Sequence, residues 1–89
     1  MPRNSRIVQE VIAVAFQRLR DLRDDKELNQ EDIGKLLSLH REVYGRYERG
    51  DTEIPVWAVI KLAEYYGVST DYILGLTDDP RPYKRIRKK

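Results

Sequence analysis

At 89 residues the chain is one small domain, and with no cysteine and a single histidine it excludes a disulfide framework, a thiolate zinc site and His-rich metal clusters. Its longest apolar run, Val11 to Phe16, falls far short of the roughly 20 residues of a membrane span, and no secretion signal is recognisable, so the expected compartment is the cytoplasm. The 17 basic and 15 acidic residues give +2, but residues 80–89 hold six of the basic ones and no acid, which leaves residues 1–79 with 11 against 15, or −4.

The spacing predicts five helices, with no stretch of strict apolar and polar alternation to mark a strand. The first helix runs roughly from Ser5 to Asp24 and is capped by Asn4 or Ser5. Val8, Ile12, Ala15, Leu19 and Leu22 line one face of it, at intervals of 4, 3, 4 and 3. Ile7, Val11 and Val14 form a second series, more apolar surface than one face requires. It either packs between two subunits or folds back over its own domain. Asp24 to Glu27 reads as a solvated turn.

Three later helices open on one pattern, an apolar residue just before the cap and another four positions beyond it. Leu28 and Ile33 flank Asn29, Leu39 and Tyr44 flank His40, and Val68 and Ile73 flank Ser69. Asn29 and Ser69 are good caps and His40 a poor one; Asp32 completes a short version of the capping box. Pro55 suits the first turn of the fourth helix, which ends near Tyr66, and Gly50, Gly67 and Gly75 supply stops. Pro80 and Pro82 break the helical pattern, and residues 80–89 are expected to form a flexible basic tail.

Residues 29–50 hold two short helices around a break at Ser38-Leu39-His40, which is helix-turn-helix spacing. With about 100° per residue counted from Arg41, Val43, Tyr44 and Tyr47 fall between roughly 200° and 300°, the core side. Arg41, Glu42, Gly45, Arg46 and Arg49 fall between roughly 0° and 140°. The outward face therefore carries three arginines against one glutamate. Arginine can reach guanine O6 and N7 through two parallel donors and also pairs with phosphate, and glutamate can accept from cytosine N4. Gly45 weakens a helix by about 1 kcal/mol and lets a backbone approach a groove wall. A solvated helix face and a duplex-reading face both fit this pattern.

Leu28-Asn29-Gln30-Glu31-Asp32-Ile33-Gly34 through Tyr44-Gly45-Arg46-Tyr47-Glu48-Arg49-Gly50 resembles the helix-turn-helix of the Cro/phage-repressor (XRE-like) family. The likeness continues from Glu53-Ile54-Pro55 through Leu62-Ala63-Glu64-Tyr65-Tyr66-Gly67-Val68-Ser69 to Asp71-Tyr72-Ile73-Leu74-Gly75, and covers roughly residues 16–79. It implies an all-α, five-helix, lambda-repressor-like DNA-binding domain over residues 1–79. Within it the motif is 29–50, and an N-terminal helix extension over 5–15 lies outside the likeness. The resemblance implies that Gln30 holds a phosphate at the start of the second helix, that Arg41, Glu42 and Arg46 read bases, and that Arg49 and Gly50-Asp51-Thr52 meet the backbone. It also implies that Arg23 and Glu48 form a partly buried salt bridge that orients the reading helix.

Some residues depart from that pattern. Ser38 stands where glycine is common, which points to a slightly different turn or a strained backbone; Gly34 stands where alanine is usual, which should loosen the second helix a little. His40 reads as a mediocre cap rather than a phosphate contact. Trp57 and the tyrosines at 44, 47, 65, 66 and 72 read mostly as core, and Tyr83, beside the basic tail, has the only plausible nucleic-acid role among them. The tail either adds salt-dependent phosphate attraction or only aids solubility.

The expected function is sequence-specific binding of double-stranded DNA by a homodimeric prokaryotic or phage transcriptional repressor, which would act by occupying a promoter or operator. The alternative is an antitoxin-like subunit that also binds DNA but mainly caps a protein partner through its first helix or tail. No catalytic constellation, cofactor site or room for an effector-binding second domain is recognisable, so no enzyme, cofactor or membrane partner is expected.

Overall fold

The computed structural model describes residues 6–84 as helices α1 (Arg6–Asp25), α2 (Gln30–Leu37), α3 (Arg41–Arg49), α4 (Val56–Tyr66) and α5 (Thr70–Ile73). No strand occurs among the described residues, and the all-α architecture is the one the spacing predicts. The caps at Asn4 or Ser5 and the last five tail residues lie outside the described residues. One core gathers Leu19 from α1, Ile33 and Leu37 from α2, Tyr44 and Tyr47 from α3, Ala58, Val59 and Leu62 from α4, and Ile73 from α5. Burial of these apolar side chains is the main favourable term in such a fold.

The helix starts follow local chemistry. Asn29 accepts from Asp32 N–H at 2.8 Å while the Asp32 carboxylate accepts from Asn29 N–H at 2.9 Å, a complete reciprocal box. Tyr72 N–H donates to Ser69 Oγ at 3.0 Å. His40 also caps, through Nδ1, which accepts from Glu42 N–H at a longer 3.3 Å. Pro55 sits one position outside α4, as its N-cap, and offers no side-chain acceptor.

The turn between α2 and α3 is tight. Ser38 adopts the left-handed conformation, φ 58° and ψ 40°, where an L side chain costs roughly 1 kcal/mol or more. Leu39 N–H then closes back on Gly34 O at 2.8 Å. Gly34 has a reason that propensity did not reveal: a Cβ there would stand 2.8 Å from the Leu39 carbonyl oxygen and 3.3 Å from Arg41 Cα. It does not merely loosen α2; its bare backbone lets the start of α3 come this close.

Helix α1 serves the core with only part of its length. Leu19 is buried and Ala15 and Leu22 are half-buried, whereas Val8 and Ile12 of the same stripe remain 38% and 41% exposed. In the second series, Val11 and Val14 pass close to Gly75, where a Cβ would meet the Val11 carbonyl oxygen at 2.8 Å, while Ile7 is 73% exposed. The N-terminal end of α1 thus extends past the body without folding back over it.

Arg18 fastens α1 to the far end of the chain. Its guanidinium donates to the carbonyls of Tyr72 at 2.8 Å and Thr77 at 2.7 Å, reaches Asp78 at 3.1 Å, and lies 4.0 Å over the Tyr72 ring. In the described part of the tail, Ser69 N–H donates to Pro80 O at 3.1 Å, Arg81 pairs with Asp79 at 2.7 Å, and Tyr83 hydroxyl donates to Asp71 at 2.7 Å. Tyr83 is thereby engaged with α5. Trp57 and Tyr65 are not core residues; Trp57 is 48% exposed, on the side of α4 opposite Ala58, Val59 and Leu62.

Candidate nucleic-acid interface

Helix α3 divides as its angular pattern predicts. Tyr44 and Tyr47 are buried, with their rings edge to face at 6.3 Å, and Val43 is half-buried. Arg41, Glu42, Arg46 and Arg49 are exposed. Among the described residues neither Arg41 nor Arg46 makes a side-chain hydrogen bond or ion pair, so both guanidiniums have all their donors available. Arg49 instead donates from Nε to Asp51 Oδ2 at 3.0 Å.

Gly45 does not lie on the open part of that face. It is buried, and the Gln30 carboxamide and the Arg49 guanidinium lie over it. The expectation that its backbone is bared to a groove wall is corrected accordingly: the space left by the missing side chain is occupied by two polar side chains of the same chain.

Beneath the face, Arg23 and Glu48 meet. Arg23 Nε and Nη2 donate to the two Glu48 oxygens at 2.7 and 3.0 Å, and Nη1 donates to Leu28 O at 3.0 Å. Gln30 Nε2 donates to Glu48 Oε1 at 3.1 Å, so the half-buried carboxamide is turned inward by a carboxylate with no exposed side-chain surface. Burial pushes the Glu48 carboxyl up, but the hydrogen bonds it accepts outweigh burial and hold it below the ordinary carboxylate range. The same pairing raises Arg23. The hydroxyls of Tyr44 and Tyr66 are buried, and burial pushes both up; Tyr44 is pushed further by the adjoining Glu48 carboxylate acting as acceptor and charge, Tyr66 by the Glu48 charge. The axis of α3 is therefore fixed to α1 and to the start of α2 by a charged, largely satisfied network.

Three features of the site were not read from the sequence. Gln30 serves as a partner of Glu48, a link that no local spacing signals. Asp51 pairs with Arg49; an acid two residues after an arginine past a helix end is a usable but weak hint. A cleft of about 290 Å³ lies between Glu31 and Lys35 of α2 and Leu39, His40 and Arg41 at the start of α3. Among the described residues no group of three or more His, Asp or Glu side chains is placed to hold a metal, and no helix is long and apolar enough to cross a membrane.

An all-helical domain with a capped helix-turn-helix and a cationic outward face defines a class, and comparison with known proteins gives the same class. A helix-turn-helix family model matches residues 19–73, and the chain belongs to that family, the XRE-type helix-turn-helix regulators. It is 44% identical over 66 residues to an uncharacterized HTH-type transcriptional regulator, YobD, of Bacillus subtilis (strain 168), covering 74% of this chain and 59% of that protein. It is 36% identical over 58 residues to the SPbeta prophage-derived uncharacterized HTH-type regulator YonR of the same organism, covering 65% and 54%. It is 37% identical over 51 residues to the cryptic phage CTXphi transcriptional repressor RstR of Vibrio cholerae, covering 57% and 46%. The chain thus spans about half the length of the relatives it matches. No solved structure matches it at a significant level.

Proposed function

We propose that this protein binds double-stranded DNA sequence-specifically and acts in the cytoplasm as a transcriptional repressor of prokaryotic or phage origin, by occupying a promoter or operator. The observation that carries the reading is the pair Arg41 and Arg46, whose side chains are unengaged among the described residues, on the exposed side of a helix whose opposite side is anchored through Glu48 to Arg23. A rigid helix with free guanidinium forks is suited to the major groove, where such forks match guanine edges. Glu42 beside them favours cytosine or discourages indiscriminate phosphate contact. The phage repressor among the relatives supports the same direction.

The reading includes a homodimer. One short reading helix offers few contacts, and paired half-sites double them. The exposed Ile7, Val8 and Ile12 at the overhanging end of α1 supply apolar surface for pairing two subunits. Selection from a random duplex pool tests the proposal. The selected sequences are expected to converge on a two-fold symmetric site with half-sites about 10 base pairs apart or a multiple of it. A pool that never converges overturns it.

A further inference from the structure

Phe16 of α1, half-buried, is seated on the end of the reading helix. A Cβ at Gly50 would overlap Phe16 Cε2 and stand 2.6 Å from Cζ and 3.1 Å from Cδ2, so the ring edge occupies the place of a side chain there. Gly50 is the left-handed cap of α3, φ 78°, and the turn it makes lets Asp51 N–H close on Arg46 O at 2.9 Å. Glycine is thus required twice, once by the turn and once by the ring. Phe16 stands two helical turns before Arg23, hence on the same side of α1, and Arg23 holds Glu48, two residues before Gly50. Helix α1 therefore grips the end of α3 at two points, one charged and one apolar. Phe16 itself lies outside the matched residues 19–73.

We propose that Phe16 is a positioning residue for DNA reading: its ring, seated on Gly50, sets the separation of α1 from the C-terminal end of α3, and so the pose in which Arg41, Glu42 and Arg46 meet base edges. The proposal deepens the DNA-binding reading and rests on it. With nine residues, α3 is shorter than the roughly 12–15 at which an isolated helix is even marginal in water, so it lies where its neighbours hold it. Tyr44 and Tyr47 fix its inward side, and the ring limits how closely its end approaches α1. Bases are read through hydrogen bonds of defined direction, which a tilted helix loses, whereas attraction to phosphates tolerates a small tilt. Loss of the ring should therefore cost discrimination between sequences rather than attraction to DNA as such.

The test compares two fluorescein-labelled duplexes by anisotropy, the site recovered from the random pool and a scrambled duplex of the same length and composition. Each variant is titrated at a temperature at which its melting curve shows it folded. The unaltered protein should prefer the recovered site. Phe16→Ala should lower that preference about tenfold, the worth of one base contact, and leave binding to the scrambled duplex unchanged. Phe16→Leu, which refills part of the seat with apolar volume, should lie between the two. Gly50→Ala puts a methyl where the ring sits and should lower the preference from the other partner. Joined to Phe16→Ala, it should lower the preference by less than the product of the two single effects, because both act through one contact. Were Gly50→Ala to misfold, the two Phe16 variants would carry the test. A folded Phe16→Ala with unchanged preference overturns the positioning role alone and leaves Phe16 as packing. An unaltered protein that prefers neither duplex, or a pool that never converges, overturns the sequence-specific reading and the positioning role with it.

Discussion

Arg23 reaches 25 residues along the chain to hold Glu48 by two hydrogen bonds of 2.7 and 3.0 Å, on a carboxylate with no exposed side-chain surface. A buried pair of this kind adds little over an apolar substitute, but removing one partner strands the other. Arg23→Ala should therefore cost about 3–5 kcal/mol of stability, with DNA affinity falling as well because α3 loses its tether. Urea unfolding and duplex titration of the same sample check both halves.

The same pair makes stability depend on acidity. Glu48 titrates below the ordinary carboxylate range when folded, so its contribution is fully present above the unfolded value of about 4.3 and is lost as pH falls through the lower folded value. Glu48→Gln removes that titration. The melting-temperature gap between the protein and this variant should be widest near neutrality and should shrink as pH falls. A gap that widens in acid contradicts the assignment.

Two exchanges in the α2–α3 turn should run against simple propensity. Ser38→Gly relieves a left-handed serine and should stabilise by about 0.5–1 kcal/mol, despite the entropy glycine brings to the unfolded chain. Gly34→Ala, which propensity alone would favour, places a methyl 2.8 Å from a backbone oxygen and should destabilise by about 1–3 kcal/mol. Thermal melts of the two single variants decide the matter by sign.

Arg46→Ala should cost about 1–3 kcal/mol of binding to the selected site and relax preference at one base pair. Stability should barely move, since the Arg46 side chain is exposed and makes no hydrogen bond among the described residues, while its backbone bonds are kept by alanine. Repeating the pool selection with the variant shows whether one position of the site becomes degenerate.

A charge on the exposed end of α1 should break the dimer proposed above. Ile12→Glu combined with Ile7→Glu is expected to leave the helical spectrum intact and to shift sedimentation at micromolar concentration from dimer to monomer, with weaker operator binding. A dimer that persists unchanged would move the interface elsewhere.

Much of this was legible from residue order because helices announce themselves through spacing and caps. Asn29, Asp32 and Ser69 did what their side chains predict, and angular position put Tyr44 and Tyr47 inside and the arginines out. Gly34 and Gly45 were opaque for one reason: a glycine is defined by what approaches it, and the approaching groups come from other elements. Trp57 was readable and missed. At about 100° per residue it lies far from Ala58, Val59, Leu62 and Tyr66, whose directions cluster together. That the first turns of α1 stay uncovered could not be read, because a stripe of apolar residues does not say where the partner surface ends.

The Arg18 clamp changes what counts as the smallest working piece. The stretch that matches the family, residues 19–73, begins one residue after the arginine and stops short of Thr77 and Asp78, two of its anchors. Anyone trimming the protein to that stretch would discard the fastener and two of the things it was sewn to, and would leave Tyr72 behind without the guanidinium that lay over its ring.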